Sequence, residues 1–155
     1  MKPYQAKLAT PFAVLGIRTE GGRVTGIDFL PPDSDALAPQ DPLAERVCAQ
    51  LRAYLQDPAF RFDLPLEPRG TAFQHKVWRA LQEIPAGRTL TYGELAAKLD
   101  SAPRAVGQAC GANPIPVIIP CHRVLARHGL GGFMNSTGGD PLSIKRWLLH
   151  HEHAG

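Results

Sequence analysis

Proline limits how long any regular element in this chain can be. Its ring removes a backbone donor and clashes inside a helix, so 15 prolines and 15 glycines among 155 residues imply short elements separated by many turns. Thr10-Pro11 and Gly21-Gly22 set off three strand-like runs, residues 4–10, 12–18 and 24–29, which predict a small antiparallel sheet. PPDSDALAPQDP reads as a loop that ends on Asp41-Pro42, an N-cap followed by a proline at the first helical position. A helix is expected from 42 to about 56, with Leu43, Val47, Leu51 and Leu55 on its apolar stripe. DPAFRFDLPLEPRG is then too proline-rich for regular helix, and its end near Gly70 predicts a domain boundary, giving domains 1–69 and 70–155.

From Thr71 the texture changes to short capped helices. Thr71 with Gln74, and Thr91 with Glu94, each make a capping box, and Ser101 is placed to cap a third helix over about 102–112 that Asn113-Pro114 must end. Two short helices joined by a tight turn at 99–101 suggest a helix-turn-helix, although two core helices without a ligand fit the pattern as well. IPVIIP is a strand-like apolar run that delivers Pro120-Cys121-His122-Arg123. A glycine-rich loop over 129–139 then leads through Asp140-Pro141 into a last amphipathic helix containing Leu142, Trp147 and Leu148. The histidines His150, His151 and His153 read as a solvated end.

Composition narrows the class. With 44% hydrophobic and 20% charged residues the chain is an ordinary globular protein rather than a disordered one. No apolar run is long enough for a signal peptide or a membrane span, so the expected place is the cytoplasm. Cys48, Cys110 and Cys121 are an odd set without paired spacing, which argues for reduced thiols rather than a disulfide framework. Residues 1–70 carry 8 basic against 9 acidic side chains, and 71–155 carry 9 against 5 together with all six histidines. That excess suits a polyanionic partner, as it suits many solvated surfaces.

A cysteine directly before a histidine and an arginine has the ingredients for a depressed thiol pKa, provided a cation or base sits beside the sulfur. On an extended segment neighbouring side chains point to opposite sides, so a turn or a bridging water is required to bring the imidazole to the sulfur. The dipeptide alone also fits a buried structural cysteine.

The surrounding residues are more specific. FQHKVWRALQEIPAGRTLTYGELA, RAVGQACGANPIPVIIPCHRV and IKRWLLHHE appear in that order, and the PCHRV signature follows an NPxPxxIP run. Over 70–152 the chain resembles the O6-alkylguanine-DNA alkyltransferases, also called methylated-DNA–protein-cysteine methyltransferases. The resemblance implies an α+β protein with a small N-terminal ribonuclease-H-like antiparallel sheet plus helix. A mainly helical C-terminal domain with a winged helix-turn-helix-like DNA-binding motif would follow. It implies direct-reversal repair: one irreversible transfer of a methyl or larger alkyl group from O6 of guanine, and from O4 of thymine, to Cys121 of the protein itself.

Carried over by residue, Cys121 is the acceptor, His122 deprotonates it through a water, Glu152 orients His122, and Asn113 braces the turn beside the active-site segment. Arg104 enters the base stack and Tyr92 crowds the phosphate and contacts the flipped base. Ala105 and Gly107 keep the recognition helix slim in the minor groove, and Arg123 joins these DNA contacts. Val124, Phe133, Pro116 and Ser136 are expected around the substrate pocket, although the 129–139 loop departs from the family's compact pattern by placing four residues between Phe133 and Gly138-Gly139. The donor is the lesion itself, so no cofactor is expected. No metal is expected either: His75 matches a zinc-binding position of some relatives, but residues 1–47 hold no Cys or His to complete the site. The expected partner is double-stranded DNA carrying O6-alkylguanine, bound by a monomer with no membrane contact. Three rivals are a non-catalytic lesion sensor, which would lack the acceptor cysteine, an alkylation-triggered regulator, and a cysteine hydrolase.

Overall fold

The computed structural model describes residues 3–134 and 140–153. The chain divides into two compact units, one ending at Arg69 and the other starting at Gly70.

The first unit is an antiparallel sheet of β1 (Ala6–Ala9), β2 (Val14–Glu20) and β3 (Arg23–Leu30) in that order, followed by α1 (Pro42–Gln56). Gly21 and Gly22 form the two-residue link between β2 and β3, with φ of 57° and 76°. A turn with positive φ at both central positions matches the twist of the strands it joins, which is why glycine serves there. Asp41 caps α1 by accepting from the Ala44 amide at 2.7 Å. The buried stripe of α1 is Ala44, Val47, Cys48, Leu51 and Tyr54, whereas Leu43 and Leu55 are only half-buried. The expected stripe is thus corrected by a rotation about the helix axis. An i, i+3, i+4, i+7 face centred on Val47 and Leu51 takes in the small and aromatic positions that a leucine-only reading passes over.

In the second unit, α2 (Ala72–Gln82), α3 (Tyr92–Lys98) and α4 (Pro103–Gly111) pack together, and Trp78 of α2 donates its indole N–H to the Ala109 carbonyl of α4 at 2.8 Å. Both capping boxes form: Thr71 with Gln74, at 3.1 and 2.9 Å, and Thr91 with Glu94, at 3.0 and 2.8 Å. Each cap contributes about 1 kcal/mol and sets where its helix begins. Ser101 does not cap α4. Ala102 takes the N-cap position without a side-chain bond, because Pro103 occupies the first helical position and holds the residue before it in an extended conformation.

The IPVIIP run is not a strand. It is a buried irregular segment with one bridge between Pro116 and Ile119, and Val117 within it has φ of 74°. Prolines at 114, 116 and 120 remove the amides a ladder needs. Asn113 replaces them, donating to the Ile119 carbonyl at 2.7 Å and accepting from the Ile115 amide at 3.0 Å. A β-branched residue at positive φ is strained backbone, held here because the segment around it is fully packed. The chain then makes a 3-10 turn over Cys121–Arg123 and a short parallel pair of β4 (Leu90–Thr91) with β5 (Val124–Leu125). It ends in α5 (Asp140–His151), where Trp147 stacks on His151 at 4.9 Å. Among the described residues no helix is long and apolar enough to cross a membrane.

Candidate active site

The 3-10 turn brings together what a strand would have separated. Cys121, His122 and Arg123 are 3%, 0% and 9% exposed, so three successive polar side chains are buried. His122 and Arg123 converge on Glu152, which follows α5. His122 Nε2 lies 2.8 Å from Glu152 Oε2, and Arg123 grips the same carboxylate through Nε at 2.9 Å and Nη2 at 3.0 Å. The remaining Arg123 nitrogen, Nη1, donates to the Ile84 carbonyl at 2.6 Å.

This corrects the expectation for Arg123. Its guanidinium is not presented to DNA but is engaged inside the protein, because the buried Glu152 carboxylate needs a charged partner. With that charge balanced by Arg123, His122 remains neutral: burial lowers its pKa, against the opposing pull of Glu152. Since a carboxylate only accepts, the hydrogen-bond pattern assigns the imidazole proton to Nε2 and the lone pair to Nδ1. Nδ1 is buried without a hydrogen-bond partner. A buried acceptor left open in this way marks a site for a water or a transferred proton.

The buried Cys121 lines a cavity of about 390 Å³. Arg104, Gly107 and Gln108 of α4 line it on one side, with Tyr92, Phe133 and Met134 on others. Arg104 is exposed at this cavity, and Phe133 is buried. Gly131, at φ of 73°, lets its loop approach the Tyr92 ring so closely that an added Cβ would lie 3.0 Å from the ring and 3.1 Å from the Ala126 nitrogen. The Tyr92 hydroxyl donates to the Gly132 carbonyl at 3.4 Å.

Two pocket expectations fall elsewhere. Pro116 is buried in its bridge with Ile119, Val124 is fully buried with its carbonyl bonded to Lys145, and neither lines the cavity; Ser136 lies outside the described residues. Ala105 is half-buried on α4 and is not a lining residue. His75 packs edge-on against Trp78, with ring centroids 5.4 Å apart.

The thiol is not depressed at rest. Burial pushes the Cys121 pKa up to about 11, outweighing the Asn113 amide and the Lys145 ammonium, which lower it. Two groups that the sequence reading missed also stand here. Cys110 lines the same cavity, its thiol pushed to about 12 by burial. Lys145 is completely buried in α5. A signal for it existed: Ile144, Leu148 and Leu149 form the apolar face of the last helix, and Lys145 falls on that face.

These shifts fix the alkaline behaviour. Cys110 and Cys121 have folded pKa values above their unfolded 9.0, as Tyr92 has above 10.0, so their contribution to stability is complete below about pH 9 and is lost as pH rises toward 11 and 12. Lys145, lowered from 10.5 to about 8, works in the opposite direction across that interval. Cys48 and Tyr4, also raised by burial, act in the same direction, and five groups against one lysine predict a urea midpoint that falls between about pH 9 and 10. Cys110→Ala should flatten the fall. A midpoint that holds or rises over that range would contradict this balance of charges.

A family model described as the 6-O-methylguanine DNA methyltransferase DNA-binding domain matches residues 72–154. A methylated-DNA–protein-cysteine methyltransferase of Haemophilus influenzae is 40% identical over 161 aligned residues, covering 96% of this chain and 86% of that protein. Among solved structures, the O6-methylguanine methyltransferase of Mycobacterium tuberculosis superposes with a TM-score of 0.82 at 35% identity, covering 97% of this chain and 92% of that one. Mycobacterium tuberculosis OGT in complex with DNA gives a TM-score of 0.78 at 37% identity, covering 94% and 90%.

Proposed function

Because the chain belongs to the 6-O-methylguanine DNA methyltransferase family, we propose that it repairs DNA by transferring a methyl group from O6 of guanine irreversibly to its own Cys121. The observation that carries this reading is that the buried Cys121 lines the cavity, with an imidazole bearing an open buried acceptor as the next residue. A thiol near pKa 11 is hardly ionised at neutral pH, so the proton must leave as the nucleophile is used. In the proposed step a water passes the Cys121 proton to His122 Nδ1 while Glu152 holds the Nε2 side. The sulfur forms a bond to the methyl carbon, the bond from that carbon to O6 breaks, and the departing guanine takes back through water the proton that left Cys121 for His122, while the Tyr92 hydroxyl donates a hydrogen bond to the base. Burial raises that hydroxyl to about 12, which keeps it a donor. A thioether is a poor leaving group, so each molecule acts once. Larger alkyl groups on O6 and methyl on O4 of thymine fall within the same reading.

The sulfur of a residue only 3% exposed cannot reach a base stacked in a duplex, so the lesion must be extruded into the cavity. The exposed Arg104 at the cavity is the residue assigned to fill the vacated stack, with α4 in the minor groove. Arg104→Ala is therefore expected to slow repair of duplex DNA by about a hundredfold, the equivalent of a few kcal/mol of lost unstacking support. Reaction with the free alkylated base should change far less, and equal losses on both substrates would remove the flipping role. Action as a monomer in the cytoplasm belongs to the same proposal.

The reading is tested by intact mass and peptide mapping after incubation with a duplex carrying one O6-methylguanine. One added methyl on the Cys121 peptide, with guanine restored, is the expected result. Binding without any mass change would make the protein a lesion sensor instead.

A further inference from the structure

Lys145 is a wholly buried cation that the transfer chemistry above does not use. An ammonium has three N–H donors, and three backbone carbonyls saturate this one: Val124 at 2.7 Å, Leu130 at 2.8 Å and Gly132 at 2.8 Å. They belong to two parts of the site. Val124 follows directly on the turn that carries Cys121, whereas Leu130 and Gly132 belong to the loop that leads into Phe133 at the cavity wall. Among the described residues no carboxylate pairs with the ammonium. The groups within its field are the thiols of Cys121 on the turn and Cys110 on α4, His122, and the Tyr92 ring of α3 at 5.8 Å.

A buried charge without a counter-ion is costly, and carbonyl dipoles offset only part of that cost. The anion that would complete the compensation is the one the reaction creates. We propose that Lys145 is a positioning residue that ties the pocket wall to the Cys121 turn through its three hydrogen bonds and supplies the positive charge against which the Cys121 thiolate forms. This rests on the methyl-transfer reading and deepens it. The electrostatics agree: the ammonium lowers the Cys121 pKa, the sulfur raises that of Lys145, and burial nonetheless brings the lysine down to about 8. Its charge and its third donor are therefore present at neutral pH and are lost in mild alkali.

Two variants separate the two roles. Lys145→Met removes charge and donors; Lys145→Arg keeps the charge, but its planar fork does not match three converging carbonyls. Iodoacetamide capture at Cys121, followed by peptide mass across about pH 6 to 10, reads thiolate formation without requiring methyl transfer. Capture at neutral pH should fall about tenfold in Lys145→Met, matching a thiol pKa raised by about one unit. In Lys145→Arg it should stay close to wild type, while methyl transfer from duplex DNA drops more than about tenfold in both variants. A capture profile of Lys145→Met that overlies wild type overturns the counter-ion role, and wild-type transfer by Lys145→Arg overturns the tie.

The unmodified protein supplies an arm that does not depend on either variant folding. Its methyl-transfer rate should fall above about pH 8, where an ordinary thiol reaction would accelerate, and a rate that climbs steadily to about pH 10 overturns the proposal. If the wild-type protein captures iodoacetamide but transfers no methyl, the repair reading fails, and the capture profiles alone decide the counter-ion role.

Discussion

Cys121→Ser is expected to reduce methyl transfer below detection while leaving binding to O6-methylguanine duplexes within about threefold of wild type. The hydroxyl is nearly isosteric with the thiol, and at a site that raises a thiol to about 11 its oxygen remains protonated at any pH the fold survives. The residues assigned to DNA and base contact, Arg104, Tyr92 and Phe133, do not change. A mobility-shift assay on modified and unmodified duplexes, run beside the mass measurement, separates the two properties. Loss of binding together with transfer would mean that the sulfur helps hold the lesion. Residual transfer would require an acceptor other than Cys121, and Cys110, in the same cavity, is the first residue to map.

Glu152→Gln is expected to slow transfer by about a hundredfold and to cost about 3–5 kcal/mol of stability. A glutamine amide can present one oxygen, but its N–H₂ must face either the Arg123 guanidinium or the His122 Nε2–H, both donors. Arg123 is then a buried cation without its anion. His122, whose basicity Glu152 supports against burial, becomes a weaker proton acceptor, and the pH–rate profile of transfer should move. Stability and chemistry can be told apart with the pair Arg123→Met and Glu152→Gln, which removes both charges. The double variant should recover much of the urea midpoint and none of the transfer rate. Recovery of both would reduce Glu152 to a structural ion pair, and an unchanged pH–rate profile in Glu152→Gln would refute its support of His122.

What could be read from the chain follows interaction range. The boxes of Thr71 with Gln74 and Thr91 with Glu94 close within three residues, and the Gly21-Gly22 hairpin and the Asp41 cap are similarly local. The start of α4 was misread although it too is local, since Pro103 outranks Ser101 in setting the first helical position. The IPVIIP run misled for another reason: apolar composition reports burial, but its two prolines, with Pro114 just before it, deny the ladder that would make it a strand.

The sequence by itself determined the family, through PCHRV and its flanking segments, together with the short capped elements and the chemical types available to the site. Tertiary structure alone decided what those types can do. Arg123 meets Glu152 across 29 residues and Lys145 meets Val124 across 21, separations over which no local pattern in the chain reports contact. Both were resolved only by folding, because a charge removed from water must find partners wherever the packed chain provides them. Burial likewise set the Cys121 thiol at about 11 where the neighbouring His and Arg pointed to a lowered value, since the loss of solvent outweighs the cations that remain.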